Sequence, residues 1–200
     1  MPAALDAVAA LKGGWAGVTD RASLDHAAVN VPASDLPGIL GLLKRDHGFD
    51  MLVDISGVDW GMNAKPRFTV VYHVFSTLGH EYVRVAADCA DDLVPEVPSV
   101  TPLWAGADWH EREAYDMFGI RFTGHPDLRR ILMWDGYPYY PLRKDFPLEG
   151  LPTDLPGEEG FSRRAPMEGG PFVAAPTDKP PAIGDAQTSI REPRAKPADH

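Results

Sequence analysis

Between Asp50 and Asp88 three runs alternate apolar with polar side chains or carry apolar ones throughout: "DMLVDISGVDW", "RFTVVYHVFS" and "EYVRVAAD". Period-two patterning is what a pleated strand produces, because successive side chains point to opposite faces. The turn "STLGH" joins the last two runs closely enough for an antiparallel hairpin. In the first run Met51, Val53 and Ile55 share a face opposite Leu52 and Asp54. The second is apolar on both faces, Phe68, Val70, Tyr72 and Val74 against Thr69, Val71, His73 and Phe75, which suits a central strand covered on both sides. In the third, Val83, Val85 and Ala87 face inward and Arg84 outward.

Two helices precede these strands. The stretch Pro2 to Lys12 carries a weak stripe, Leu5, Val8, Ala9 and Leu11, and Gly13-Gly14 stops it. A second helix follows from Leu36, Ile39, Leu40 and Leu43, spaced as one helical face, with Ser34 as the cap and Gly48 at the end. Lys44 and Arg45 in its last turn suit the helix dipole. Between the helices "HAAVNVPA" reads as a short strand, its Pro32 placing it at a sheet edge or marking its own end. The order predicts an α+β fold: a mixed or antiparallel sheet with helices mainly on one face, followed by an extended C-terminal tail. Residues 1–105 form the α+β domain, 106–150 a helix and extended docking segment, and 151–200 a proline-rich tail that wraps partners or stays disordered. The stretch "DDLVPEVPSVTPLWAGAD" between the first two is an extended connection.

Composition removes several function classes. A formal net charge of −10 gives no attraction for nucleic-acid phosphates or an anionic membrane surface. No window reaches the ~18 apolar residues of a membrane span, and the N-terminus lacks a secretory pattern. Synthesis in the cytosol is expected, with membrane association only through a partner. The single cysteine, Cys89, can neither form an internal disulfide nor hold an iron–sulfur cluster. Its acidic setting, "VRVAADCADD", raises rather than lowers a thiol pKa, so it is no nucleophile.

The chemistry-bearing block is "WHEREAYDMFGIRFTGHPDLRRILMWDGYPYYPLRKDFPLEG", Trp109 to Gly150. Asp108 and Glu111 have capping-box spacing, so a helix from Trp109 to Phe118 is expected, closed by Gly119. His110-Glu111 opens a zinc-protease pattern, but Ala114 stands where the second His is needed. A metal-dependent hydrolase using His110, Glu113, Asp116 and His125 is the remote alternative. After Gly119 the prolines and glycines favour an irregular segment, and its interleaved aromatics and arginines match the residue types enriched at protein–protein contacts.

"EREAYDMFGIRFTGHPDLRRIL" and "PLRKDFPLEG" resemble the signatures of the respiratory complex I C subunit, the thirty-kilodalton family. The resemblance implies a non-redox scaffold in the hydrophilic arm of NADH-quinone oxidoreductase. That complex transfers electrons from NADH to quinone and couples this to proton translocation. The expected partners are the large quinone-site subunit and neighbouring iron–sulfur subunits; flavin and clusters would sit on those partners, leaving no cofactor and no catalytic centre here. The expected location is peripheral, at the cytoplasmic side of the cell inner membrane. Glu111, Arg112, Glu113 and Asp116 would fix the helix and its salt bridges to a neighbour. His125, Arg129 and Arg130 would lock the following turn, and Arg143, Lys144 and Asp145 would anchor an outgoing strand. Tyr139-Tyr140 replace a Gly-His pair common in the family, which alters the local docking contact. A homologous subunit of a membrane-bound hydrogenase or another quinone reductase is the nearer alternative.

Overall fold

A computed structural model describes residues 2–151; the tail expected over 151–200 lies outside the described residues beyond Leu151. Helix α1 (Pro2–Gly14) leads through strand β1 (Thr19–Asp20) to β2 (Ala27–Val31) and helix α2 (Leu36–Asp46). Strands β3 (Met51–Asp59), β4 (Phe68–Ser76) and β5 (Glu81–Asp88) follow, then β6 (Glu96–Pro98), helix α3 (Ala107–Phe118) and β7 (Arg121–Thr123). Five strands form one mixed sheet in the order β1-β2-β5-β4-β3, in which only the β2–β5 pair is parallel. β6 and β7 make a separate parallel pair.

The α+β expectation holds, with the antiparallel β4–β5 hairpin across "STLGH" and β4 inside the sheet. Phe68, Val70, Tyr72 and Val74 on β4 are wholly buried, packed with Val83, Val85, Val29 and the α2 face of Leu36, Ile39, Leu40 and Leu43. The other face carries a polar net centred on Arg84, whose Nε donates to His73 Nε2 at 2.8 Å while Nη2 pairs with Asp25 at 3.1 Å.

Four local expectations need correction. α1 runs through Gly13 and Gly14, and it buries Ala4, Ala7, Val8 and Leu11 while Leu5 and Ala9 face out. Ser34 does not cap α2; it lies in a 3-10 turn and bonds to Asp35, while Pro37 fits the first helical turn, where no N–H is required. Of the two roles expected of Pro32 the structure has the second: β2 is an interior strand, and it ends at Val31 just before the proline. In β3 the register shifts between Leu52 and Asp54, so Val53 is an extra residue in a bulge, and Met51 is exposed although Ile55 is buried. The connection over 91–108 also holds β6, a strand whose three residues are too few to show a period.

Gly57 sets where α3 rests. A Cβ there would lie 2.7 Å from Phe118 Cδ2, so only a glycine lets the helix end close on β3.

Candidate functional site

The charged block is built on α3. The helix starts at Ala107 after Gly106 with no side-chain cap, so Asp108 does not cap it and Glu111 does not reach back. Instead Glu111 is wholly buried, and its Oε1 accepts the Val100 N–H at 2.7 Å, tying the helix to the chain that leads out of β6. Its Oε2 and the hydroxyl of Tyr72 find no hydrogen-bond partner among the described residues. Burial pushes the Glu111 carboxyl up to about 7, against the pull of the Val100 N–H, and Asp108 adds to the rise. Burial likewise raises Tyr72, with Glu111 contributing. His125 is buried beside them: Nε2 lies 4.0 Å from Glu111 Oε2 and 3.3 Å from Asp108 Oδ1. Its Nδ1 accepts the Asp127 N–H at 3.0 Å, which assigns the ring proton to Nε2.

One turn further, Asp116 organises the irregular segment. Its Oδ2 accepts the N–H groups of Ile131, Leu132 and Met133 at 3.0, 2.7 and 2.8 Å, and its Oδ1 pairs with Arg130 Nη1 at 2.5 Å. Burial alone would raise this carboxyl, but four donors hold it below the ordinary aspartate value. Arg130 also donates to the Tyr139 carbonyl at 3.1 Å, and its guanidinium lies over Tyr140 at 5.1 Å and Tyr137 at 5.6 Å. Arg112 donates to the carbonyls of Arg129 and Arg130, both at 3.2 Å. Carboxylate to N–H and guanidinium to C=O, the helix thus satisfies backbone groups that have no ladder of their own.

A second clamp joins the far end of the segment to the sheet. Asp59 on β3 takes Arg67 in a two-point pair, 3.0 Å at Nε and 2.8 Å at Nη2, and accepts the N–H groups of Gly61 and Lys144. Burial raises Asp59, but these donors prevail and hold it near 2. Arg67 extends to Asp145 as well. Arg143 Nε donates to the Phe118 carbonyl at 2.6 Å, and its guanidinium lies 4.4 Å from the Tyr140 ring and 5.1 Å from Phe68. Gly119 between the clamps has φ 72°, and a Cβ there would lie 2.5 Å from Arg143 Nη2. It both turns the chain and leaves room for the arginine.

The structure therefore places the sequence-predicted residues in two groups. Glu111, Arg112, Asp116, His125 and Arg130 converge inside the chain around α3. Arg143, Lys144 and Asp145 meet the Asp59–Arg67 pair, on a turn rather than the expected strand. Glu113 is exposed, and among the described residues Arg129 pairs only with exposed Asp127 at 2.8 Å, its carbonyl serving Arg112. The four metal-hydrolase candidates are not brought together: His110 faces Asp54 at 3.5 Å, Asp116 is saturated by donors, and no such cluster of three His, Cys, Asp or Glu exists among the described residues. Sequence reasoning missed Asp59, Arg67 and Tyr72. Cys89 is buried, and burial with Asp88, Asp92 and Glu96 nearby pushes its thiol up to about 12, as its acidic setting implied.

Comparison with known proteins matches residues 29–152 to the family described as respiratory-chain NADH dehydrogenase, 30 Kd subunit. The NADH-quinone oxidoreductase C 2 subunit of Rhizobium meliloti (strain 1021) is 44% identical over 150 residues, covering 73% of this chain and 81% of that protein. The NADH-quinone oxidoreductase C subunit of Phenylobacterium zucineum (strain HLK1) is 50% identical over 119 residues, 60% of this chain and just 56% of the relative's length. Among solved structures, a chain of the membrane-bound sulfane sulfur reductase, an archaeal respiratory membrane complex, shares the fold with TM-score 0.61 at 23% identity, over 72% of this chain and 85% of that one.

Proposed function

This chain belongs to the 30 kDa subunit family of respiratory-chain NADH dehydrogenases, and from that premise we propose that it is a non-redox scaffold of the complex's hydrophilic arm. It would hold the large quinone-site subunit and adjoining iron–sulfur subunits in register, so that electrons pass from NADH to quinone with coupled proton translocation. Flavin and clusters would sit on those neighbours, since one cysteine cannot supply the thiolates of a cluster.

The destination of the signature's charges is what supports this reading. Glu111, Arg112, Asp116, Arg130 and Arg143 are all committed to holding the chain's own backbone. The segment they hold presents Leu132, Leu142 and Leu148 outward, and α3 beside it presents Trp109, each more than half exposed. A rigid irregular surface with large apolar side chains facing out suits a docking partner better than it suits water. No helix among the described residues is long and apolar enough to cross a membrane. In this proposal the chain stays at the cytoplasmic face of the inner membrane through its partners.

The test is a mild-detergent pull-down of the tagged chain from its native membranes, with mass spectrometry and an NADH–quinone assay on the eluate. The expected outcome is co-elution of the quinone-site subunit with NADH-dependent quinone reduction. Recovery of the chain alone, or with hydrogenase subunits and hydrogenase activity, overturns the proposal.

A further inference from the structure

A groove of about 470 Å³ lies beside the C-terminal end of α3, between the loop leading into β6 and the turn after Tyr139. Leu93, Val94, Tyr115, Tyr140, Arg121 and Arg143 line it. Its floor is Gly119, against which Tyr140 and Arg143 pack so closely that a Cβ would meet both within 2.7 Å.

The carbonyls at the base of this groove are already used: the Gly119 N–H takes the Tyr115 carbonyl at 2.8 Å, the Leu142 N–H takes that of Met117 at 3.1 Å, and Arg143 takes that of Phe118 at 2.6 Å. Its guanidinium donors are less engaged. Arg121 is exposed and its side chain makes no hydrogen bond or ion pair among the described residues, its register partner Glu96 across β6–β7 included. Arg143 spends Nε on a carbonyl and stacks on Tyr140 and Phe68; Asp59 and Asp145 lie close enough to act on it, but it makes no ion pair among the described residues. Two guanidinium groups with no ion pair among the described residues stand out in a chain of net charge −10.

The Leu93–Val94 lining is apolar and held in place. Asp91 Oδ1 accepts the N–H groups of Leu93 and Val94 at 2.7 and 3.3 Å, and the Pro95 carbonyl takes the Arg121 N–H at 2.8 Å. Leu93 is nonetheless 88% exposed and Val94 48%. A small anion would satisfy the arginines but leave these side chains in water. A peptide carrying a carboxylate beside apolar residues satisfies both.

We propose that this groove receives an extended segment of a neighbouring subunit, presenting an aspartate or glutamate to Arg121 and Arg143 and apolar flanks to Leu93 and Val94. The inference rests on the chain being a subunit of a larger complex. Fixing the arginine planes on aromatic rings before the partner arrives lowers the ordering cost of docking.

The experiment places a photo-crosslinking benzoylphenylalanine at Leu93 in the full chain, with a control probe at Leu24 in the β1–β2 turn. The complex is irradiated in native membranes, purified through the tag, and the joined peptides are sequenced by mass spectrometry. The expected adduct at position 93 is one segment of another subunit with an acidic residue next to the joined position. Arg121→Glu should cut that adduct by about tenfold or more, Arg121→Lys should retain it, and changing the identified carboxylate to arginine should restore it to the Arg121→Glu chain. An adduct with this chain's own residues 152–200, or one indifferent to Arg121→Glu, overturns the proposal. So does the lack of any adduct in a complex that still contains the chain, and that result leaves the subunit reading intact. A chain that co-purifies with no complex removes both.

Discussion

Replacing Glu111 by glutamine should stabilise this protein by an amount that grows as pH rises from about 4.5 to 7 and is constant above that. The carboxyl is wholly buried, accepts the Val100 N–H with the Ser99 hydroxyl also pulling its pKa down, and faces Asp108, His125 and the Tyr72 hydroxyl with its second oxygen unpartnered among the described residues. Burial raises its pKa from 4.5 to about 7. In the unfolded chain the ordinary value applies. Below pH 4.5 both states hold the proton and the group contributes nothing to the pH dependence. Between 4.5 and 7 the folded state keeps a proton that the unfolded state has released, so stability falls as pH rises, by about 1.4 kcal/mol per pH unit. Above 7 the loss is complete, at roughly 3 kcal/mol. Glutamine keeps the oxygen that accepts from Val100 and offers N–H groups toward Tyr72, with nothing to ionise. Urea unfolding of the full chain, followed by circular dichroism, measures the difference directly, because every other titrating group is common to both proteins. Glu111→Gln should lie within about 1 kcal/mol of the parent at about pH 5 and exceed it by roughly 3 kcal/mol at about pH 8.5. Equal destabilisation at both pH values would show that Glu111 is bonded as an anion and refute the argument.

Asp116→Asn removes the charge that pairs with Arg130 and weakens three backbone acceptances, so a loss of about 3 kcal/mol is expected. The near-ultraviolet signal of the Trp134–Tyr137 ring pair, 4.6 Å apart, should fall with it, and an unchanged spectrum would mean that the segment is held elsewhere. Asp59 has the opposite pH sign to Glu111. Its depressed value makes its contribution full above 3.8 and lost as pH falls toward 2, so Asp59→Asn should flatten acid unfolding in that window. Gly119→Ala meets both a positive φ and a blocked site, at an expected cost of roughly 2 to 3 kcal/mol in thermal unfolding. Gly119→Asn tolerates the φ but not the crowding, and recovery with Asn would show that conformation alone is limiting.

Where a period was strong and unbroken, it was legible in the sequence. The α2 face and the alternation of β4 and β5 survive because each is one element burying one surface, which local spacing records. The weak stripe of α1 was misplaced because alanines and leucines compete there, and which side is inward depends on the sheet beneath. The bulge at Val53 and the three-residue strand β6 leave no periodic trace. The signature block announced itself by density of charge, but not the direction of that charge. Glu111 and Asp116 sit five positions apart on one helix, yet one is pushed up by burial and the other held down by donors that lie 15 to 17 residues further on. Nothing local distinguishes them. Asp59 and Arg67 passed unnoticed for the same reason, since their partner Lys144 is 85 residues away from Asp59.

During synthesis the parallel pairing of β2 with β5 imposes a delay. Ala27 pairs in register with Val83, and Val31 with Ala87, so β2 has no parallel neighbour until the ribosome has made some 56 residues more. At about 5–20 residues per second, Val29 and Val31 wait roughly 3 to 11 seconds after translation for their cover. Meanwhile β3, β4 and β5 can close locally as a meander, leaving the inner edge of β5 open. The nascent chain therefore carries two unsatisfied strand edges at once, and a slow codon run just after β5 would give β2 time to fill the right one.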